Sequence, residues 1–481
     1  MDNIFSKAFS KFGMVQFIVF CLLILGIYRS VSGLYARIDV HTQSSRALAV
    51  ADHTFKLDNP PESFIEKKIR FMRYLEQHKG PRTWGPIAYG VKWLTLGGKK
   101  WATIEAENLW RAILLCSFIS SMILLTLLVR DCREVSGFSF GWLWIPLICA
   151  LGFQCGPAIY NISNGGADAI TGLAIIGHFY FFIKRRFWLA SIFIVVGTYY
   201  KLHPVTFAFG FFVLACLSRS HRKYVPRLII VGLSVAALVY PIRGLFYGSL
   251  YPFTLVWNNV ASAVPVLPLT EECFNPVVLI YKIAHEFKIT GFEAMNRTEG
   301  ILPYVPFLSA SLFALAFTGI SAYISRYSKI WEKNQKTYLR HMIIFQMVLG
   351  FAYFIFSMDI SIEFMLHLLL TIYGPILLFA MDVGELDDIN FTTGFNILLY
   401  ALSLFILGCL LPLSFLHSFL PYEYLHQLAG NPPGSLGSYG AYIWYQIPMF
   451  SFLLMGIVAF RIMSSDSKVP CYQDIAGKMN Y

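Results

Sequence analysis

Apolar stretches of membrane-crossing length recur from residue 14 to residue 463 with mostly short polar connections between them, and this repetition restricts the chain to a bundle of membrane helices. A hydrocarbon core of roughly 30 Å takes about 20 helical residues per crossing, and without water each backbone amide must bond within its own helix. The composition agrees, at 57% hydrophobic and 17% aromatic against 14% charged residues. Apolar runs bounded by Lys and Arg predict about twelve spans, near residues 14–31, 108–129, 142–159, 169–183, 187–200, 204–218, 228–247, 302–324, 341–357, 363–381, 394–413 and 446–463. The expected fold class is all-α, a polytopic helical bundle forming one domain over residues 1–481. The runs at 169–183, 187–200 and 204–218 fall short of a full crossing, which predicts tilted or broken helices ending in protein or a cavity.

Charge placement gives the topology. Lys7 and Lys11, Arg130 and Arg133, the run Lys184 to Arg186, the group Arg219, Arg222, Lys223 and Arg227, and the group Arg326 to Arg340 all fall on alternate connections. The connections 160–168, 358–362 and 414–445 contain no Lys or Arg. The positive-inside rule therefore puts both termini in the cytoplasm and three polar blocks, 32–107, 248–300 and 414–445, on the far side. The first block carries an amphipathic stretch at 64–75 that reads as helix lying on the membrane surface; the other two, rich in Pro and aromatics, read as loops capping a cavity. A signal peptide competes with an uncleaved first span at 14–31, and the polytopic sequence that follows favours the span.

The net charge of +11 is largely this topological signal, and without a concentrated basic patch it gives no nucleic-acid partner. Nine cysteines show neither Cys-x-x-Cys nor zinc spacing, so neither a metal site nor a cofactor is indicated. No internal repeat is visible.

Four short segments carry candidate chemistry. Arg37, Asp39 and His41 follow the first span directly; such a trio serves either as a solvated interfacial anchor or, with Asp39 as general base, to take the proton of an attacking hydroxyl. Residues 161–168 read as an Asn/Gly turn at Asn164 and Gly165, yet Asp168 opens an apolar helix, where a carboxylate is a functional candidate. Lys201 and His203 precede Pro204, which fixes a helix start; Lys201 either snorkels to the surface or joins His203 in holding a phosphate. Glu363 and His367, four apart, share a helix face and are structural or functional.

Taken together these segments resemble glycosyltransferase family 87, the polyprenyl-phosphate-mannose-dependent mannosyltransferases of the GT-C class. The likeness rests on Asp39 ahead of the small-residue helix at 44–49, the segment 84–89 with Pro86, the run Asn108-Leu109-Trp110, the turn at Asn164 and Gly165, and the Lys201 to Pro204 turn. Gly166 stands where the family usually has Gln, and the late Ser-x-x-Ser-Trp-Asp-His pattern survives only as Ser361-Ile362-Glu363, with His367 one turn on. The resemblance implies a GT-C-like bundle and transfer of a hexose, mannose by family, from a polyprenyl-phosphate donor to a lipid-linked or envelope glycan acceptor, with inversion. It implies Asp39 as base, Lys201, His203 and Arg37 at the donor phosphate, and Asn164, Asp168, Glu363 and His367 about the substrates. It also implies a bacterial plasma membrane with the site on the external face. Two other classes compete: an O-antigen-type glycan ligase or polymerase, drawing on Arg243, His285 and Arg297 in the second block, and a solute transporter.

Overall fold

The computed structural model describes residues 104–136, 168–201, 203–247, 305–332, 334–356 and 369–382. In order the elements are α1 (Ile104–Ser136), α2 (Asp168–Ile183), α3 (Phe187–Tyr200), α4 (Pro204–Leu217), a 3-10 turn (Arg219–His221), α5 (Tyr224–Tyr247), α6 (Val305–Ser325), the single turn α7 (Ser328–Trp331), α8 (Gln335–Phe356) and α9 (Leu369–Asp382). Among the described residues there is no strand, so the all-α expectation holds there. The expected spans at 14–31, 142–159, 394–413 and 446–463 lie outside the described residues, as do the blocks 248–300 and 414–445 and nearly all of 32–107.

The three short apolar runs emerge as α2, α3 and α4, each within about one residue of its expected bounds, because charged or Pro punctuation stops them on both sides. By length and composition, one described helix, Ala112–Glu134 within α1, is long and apolar enough to cross a membrane; Asp168–Ile183, Phe187–Tyr200, Pro204–Leu217 and Ala310–Ser325 are apolar but shorter. Arg243, counted with the second polar block on sequence grounds, lies inside α5.

Helices α1, α2, α3, α4, α6, α8 and α9 each pack on the next, and α9 returns to α1 to close a ring. Helix α2 leans inward, touching α4, α8 and α9 as well as its ring neighbours, and thirteen of its sixteen residues are buried, Ile170, Leu173 and Phe181 being half-buried. A helix apolar on every side belongs in such an interior. Helix α5 packs against α3 from outside the ring and also touches α4.

Close approach is set by small residues. A Cβ on Gly197 of α3 would collide with the Ala174 Cβ of α2 and come within 3.3 Å of Pro204. A Cβ on Gly210 of α4 would meet Phe317 of α6 at 2.8 Å and Leu349 of α8 at 2.9 Å. Glycine at these places lets dispersion contacts form between backbones that a side chain would hold apart.

The outside of the bundle is apolar. Trp188, Leu189, Ile192 and Val196 line an exposed face of α3, Ile229, Ile230 and Leu233 one of α5, and Leu315 of α6 is 70% exposed. Faces of this kind are unfavourable against water and natural against acyl chains, which agrees with a membrane protein.

The basic connections meet at one end. Lys184 Nζ, just beyond α2, lies 2.8 Å from Asp131 Oδ2 of α1. The α2–α3 turn closes as a Schellman motif: Arg185 N–H donates to the Phe182 carbonyl and Arg186 N–H to the Phe181 carbonyl, each at 2.9 Å, with Arg185 at φ 57° where glycine is usual. Beneath this end His221 is buried. Its Nε2 pairs with the Tyr338 hydroxyl at 3.0 Å and its Nδ1 with Ser218 and Ser220 at 3.0 and 2.9 Å. Burial, reinforced by the Arg185 guanidinium, lowers the His221 pKa from 6.5 to about 3, so the imidazole is neutral.

Candidate functional site

At the other end of α2 and α3 the chain places two opposite charges inside the bundle. Asp168 is the first residue of α2, and Lys201 follows the last residue of α3. The α2–α3 hairpin brings these ends level, and the Gly197 contact lets them close to 2.8 Å between Lys201 Nζ and Asp168 Oδ1. Their side chains are only 2% and 1% exposed. Each charge also suits its helix terminus, a carboxylate at an N-terminus and an ammonium at a C-terminus. Local bonds hold the pair in place: Thr171 Oγ1 donates to the Asp168 carbonyl at 3.0 Å, and Lys201 N–H donates to the Gly197 carbonyl at 2.8 Å. Tyr200 is buried beside them.

From Lys201 the chain turns into α4 through His203, which occupies the N-cap with helical dihedrals, and Pro204 at the first helical position. Proline suits that position because its fixed φ is helical and its missing N–H is not needed by the helix. It also removes one amide that a bound anion would use, and Thr206 N–H is directed at the His203 carbonyl at 3.3 Å. The imidazole of His203 is half-buried, with Nδ1 hydrogen-bonded to the Tyr353 hydroxyl of α8. The two rings meet edge to face, with centroids 5.8 Å apart, and Phe207 lies 5.7 Å from Tyr353.

Of the residues singled out in the sequence, the structure therefore joins Asp168 directly to Lys201 and sets His203 two residues farther along the same turn. Asp168 and Lys201 belong to separate segments on sequence grounds; folded, they are one ion pair. Arg37, Asp39, Asn164, Glu363 and His367 lie outside the described residues. Sequence reasoning did not single out Tyr353, Tyr200 or the buried His178, whose Nε2 lies 3.0 Å from the Tyr224 hydroxyl. The available signal for His178 was a lone titratable residue within an apolar helix.

Chemically, this end offers a charge-balanced pair screened from solvent and an imidazole oriented by a phenol. The Lys201 ammonium donates to the Asp168 carboxylate. An anion approaching here would compete with a carboxylate already in place, so selectivity for it would depend on His203 as well as Lys201. Among the described residues no three His, Cys, Asp or Glu side chains cluster closely enough to hold a metal ion.

Comparison with known proteins yields one local likeness. A stretch of 63 residues is 32% identical to GPI mannosyltransferase 1 of Dictyostelium discoideum, covering 13% of this chain and 14% of that protein. No family model and no solved structure matches. The likeness supports the mannosyltransferase kind at most and does not single out glycosyltransferase family 87.

Proposed function

We propose that the chain is a membrane glycosyltransferase that moves a hexose, mannose in the first instance, from a polyprenyl-phosphate carrier to a lipid-linked or glycan acceptor. The observation that carries this reading is the stretch similar to GPI mannosyltransferase 1. It agrees with the all-helical bundle and its apolar exterior. The proposed architecture is a GT-C-like bundle of about twelve spans, with the polar blocks 32–107, 248–300 and 414–445 on the side that bears the site. The similar protein is eukaryotic, so the proposed location is any membrane presenting polyprenyl-phosphate sugars and is not restricted to a bacterial plasma membrane.

In the proposed reaction an acceptor hydroxyl oxygen bonds to the anomeric carbon as the bond from that carbon to the phosphate oxygen breaks. The hydroxyl proton passes to Asp39, and the electron pair leaves on the polyprenyl phosphate, inverting the anomeric centre. A phosphate leaving group needs electrostatic stabilisation more than protonation. Arg37, Lys201 and His203 are assigned to that task, with the Lys201 ammonium shared between Asp168 and the phosphate. Asn164, Glu363 and His367 are assigned to the sugars, and Asp168 holds Lys201 in place.

The test is sugar transfer by the purified full chain in lipid, supplied with mannosyl-phosphoryl polyprenol and a membrane glycolipid extract as acceptor. Transfer of the single sugar is expected. Asp39→Asn should leave donor binding near normal and lower turnover by about 10²-fold or more. Retention of more than about a third of wild-type turnover would remove Asp39 from the role of base. Transfer of a whole glycan from a diphosphate carrier, or movement of solute across a sealed vesicle without transfer, would replace the proposal with a ligase or a transporter.

A further inference from the structure

The end of the bundle opposite Asp168 and Lys201 contains a cavity of about 540 Å³ to which the sugar-transfer reading assigns nothing. Arg185 from the α2–α3 turn, Arg219 and Lys223 from the α4–α5 connection and Arg227 from the first turns of α5 all line it, against a single carboxylate, Glu332. Ser220 adds a hydroxyl. Arg185 comes from a different connection than Arg219, Lys223 and Arg227, so the fold adds its charge to that basic run. Arg185, Arg219 and Lys223 are exposed, and no carboxylate of the described residues pairs with them within ion-pair distance.

Two of the arginines are held by aromatic faces. The Arg185 guanidinium lies 5.6 Å from the centre of the Tyr338 ring, and the Arg227 guanidinium lies 5.6 Å from Phe187 and 5.8 Å from Trp188. A guanidinium stacked on a ring presents its N–H edges to the oxygens of a phosphate, as Arg227 does here, while Arg185 also hydrogen-bonds the Tyr338 side chain. Trp188 then leads onto the exposed apolar face of α3, continuing through Leu189, Ile192 and Val196, beside the exposed Ile229, Ile230 and Leu233 of α5. Helices α3 and α5 pack against each other, so their exposed apolar faces belong to neighbouring helices whose first turns border the cavity.

We propose that this cavity binds the phosphate head group of an anionic membrane lipid, with its acyl chains lying along the exposed faces of α3 and α5. Three net positive charges match a phosphomonoester, and the adjoining apolar face matches its tail. A soluble polyphosphate would satisfy the cations alone and leave the apolar face without a role.

The experiment uses the full chain in nanodiscs of phosphatidylcholine containing about one-tenth phosphatidic acid, with lipids retained on the released protein read by native mass spectrometry. A parallel titration with inorganic pyrophosphate uses equilibrium dialysis. Wild-type protein is expected to retain phosphatidic acid in preference to phosphatidylcholine. Arg219→Gln with Lys223→Gln should lower that retention by about tenfold or more, and Arg219→Lys with Lys223→Arg should restore it. Both positions are exposed, so the fold should tolerate the changes; Arg227→Gln gives the same comparison should the double variant misfold. Equal retention of phosphatidic acid by wild type and the charge-removed variants would overturn the proposal. Pyrophosphate binding without any preference for phosphatidic acid would overturn it in favour of a soluble anion.

Discussion

Replacing Lys201 with methionine removes the ammonium while keeping the length of the side chain, and leaves the Asp168 carboxylate at 1% exposure without the cation 2.8 Å away. Breaking a buried pair from one side costs about 3–5 kcal/mol, because the remaining charge stays desolvated. Loss of the favourable charge at the C-terminus of α3 contributes a few tenths of a kcal/mol up to about 1 within that figure. Asp168→Leu should cost a similar amount for the mirror-image reason. Making both changes together removes both desolvation penalties, and buried pairs replaced by apolar residues are often neutral or better, so the double variant is expected within about 2 kcal/mol of wild type. The measurement is reversible unfolding in mixed micelles of mild detergent and dodecyl sulfate, followed by far-ultraviolet circular dichroism across all four proteins. The expected coupling energy is about 4 kcal/mol or more, above the roughly 0.5–3 kcal/mol that contacting residues usually show. A Lys201→Met cost below about 1 kcal/mol, or a double variant as unstable as the two single costs added together, would refute a buried pair at this position.

Glycine packing gives a paired prediction: Gly210→Leu, forced against Phe317 and Leu349, should destabilise by about 1–3 kcal/mol, whereas Gly232→Ala, with nothing within 4 Å of its added Cβ, should be neutral or stabilising by up to about 1 kcal/mol in the same assay. His221 predicts an acid-side slope. Its folded pKa near 3 lies below the unfolded 6.5, so the unfolded chain binds the extra proton and stability falls as the pH drops from about 6.5 toward 3. This one group contributes up to about 1.4 kcal/mol per pH unit, and His221→Phe should flatten the stability profile in that window. Parallel profiles for the two proteins would show that His221 does not titrate this way.

How far the sequence could be read depended on what ends each helix. Helices α2, α3 and α4 are bounded by Asp168, the Lys184 to Arg186 run, Lys201 and Pro204, all visible in the sequence. Helix α1 extends beyond its apolar stretch in both directions, from Ile104 to Ser136, because Glu105, Glu107 and Arg130 to Glu134 are helix-compatible polar residues that a hydropathy boundary excludes. Helix α8 starts about six residues earlier than its apolar run. Asn334 caps it, accepting from the Thr337 N–H at 3.1 Å, a signal readable in Asn334 to Thr337 but invisible to hydropathy. The Asp168–Lys201 pair could have been inferred from length alone. Sixteen residues up α2 and fourteen back down α3 cover roughly 24 and 21 Å at 1.5 Å per residue, so an antiparallel hairpin returns Lys201 to the level of Asp168. No such arithmetic reaches Tyr353, 150 positions from His203, since that contact depends on how α4, α6 and α8 close the ring.

The placement of the two charges at the open ends of one hairpin bears on how the chain enters a membrane. Inserted alone, α2 would carry an unpaired carboxylate at its leading end, and a single Asp at mid-helix opposes insertion by about 2.5–3.5 kcal/mol, with less opposition toward an end. Helix α3 follows after the tight Lys184 to Arg186 turn and delivers the neutralising ammonium to that carboxylate. The α2–α3 hairpin is thus the smallest piece of this region whose open ends carry no net charge, the cations Lys184 to Arg186 staying at its turn. Its biogenesis is expected to proceed two helices at a time, with Asp168 held in the aqueous insertion channel until Lys201 has been synthesised.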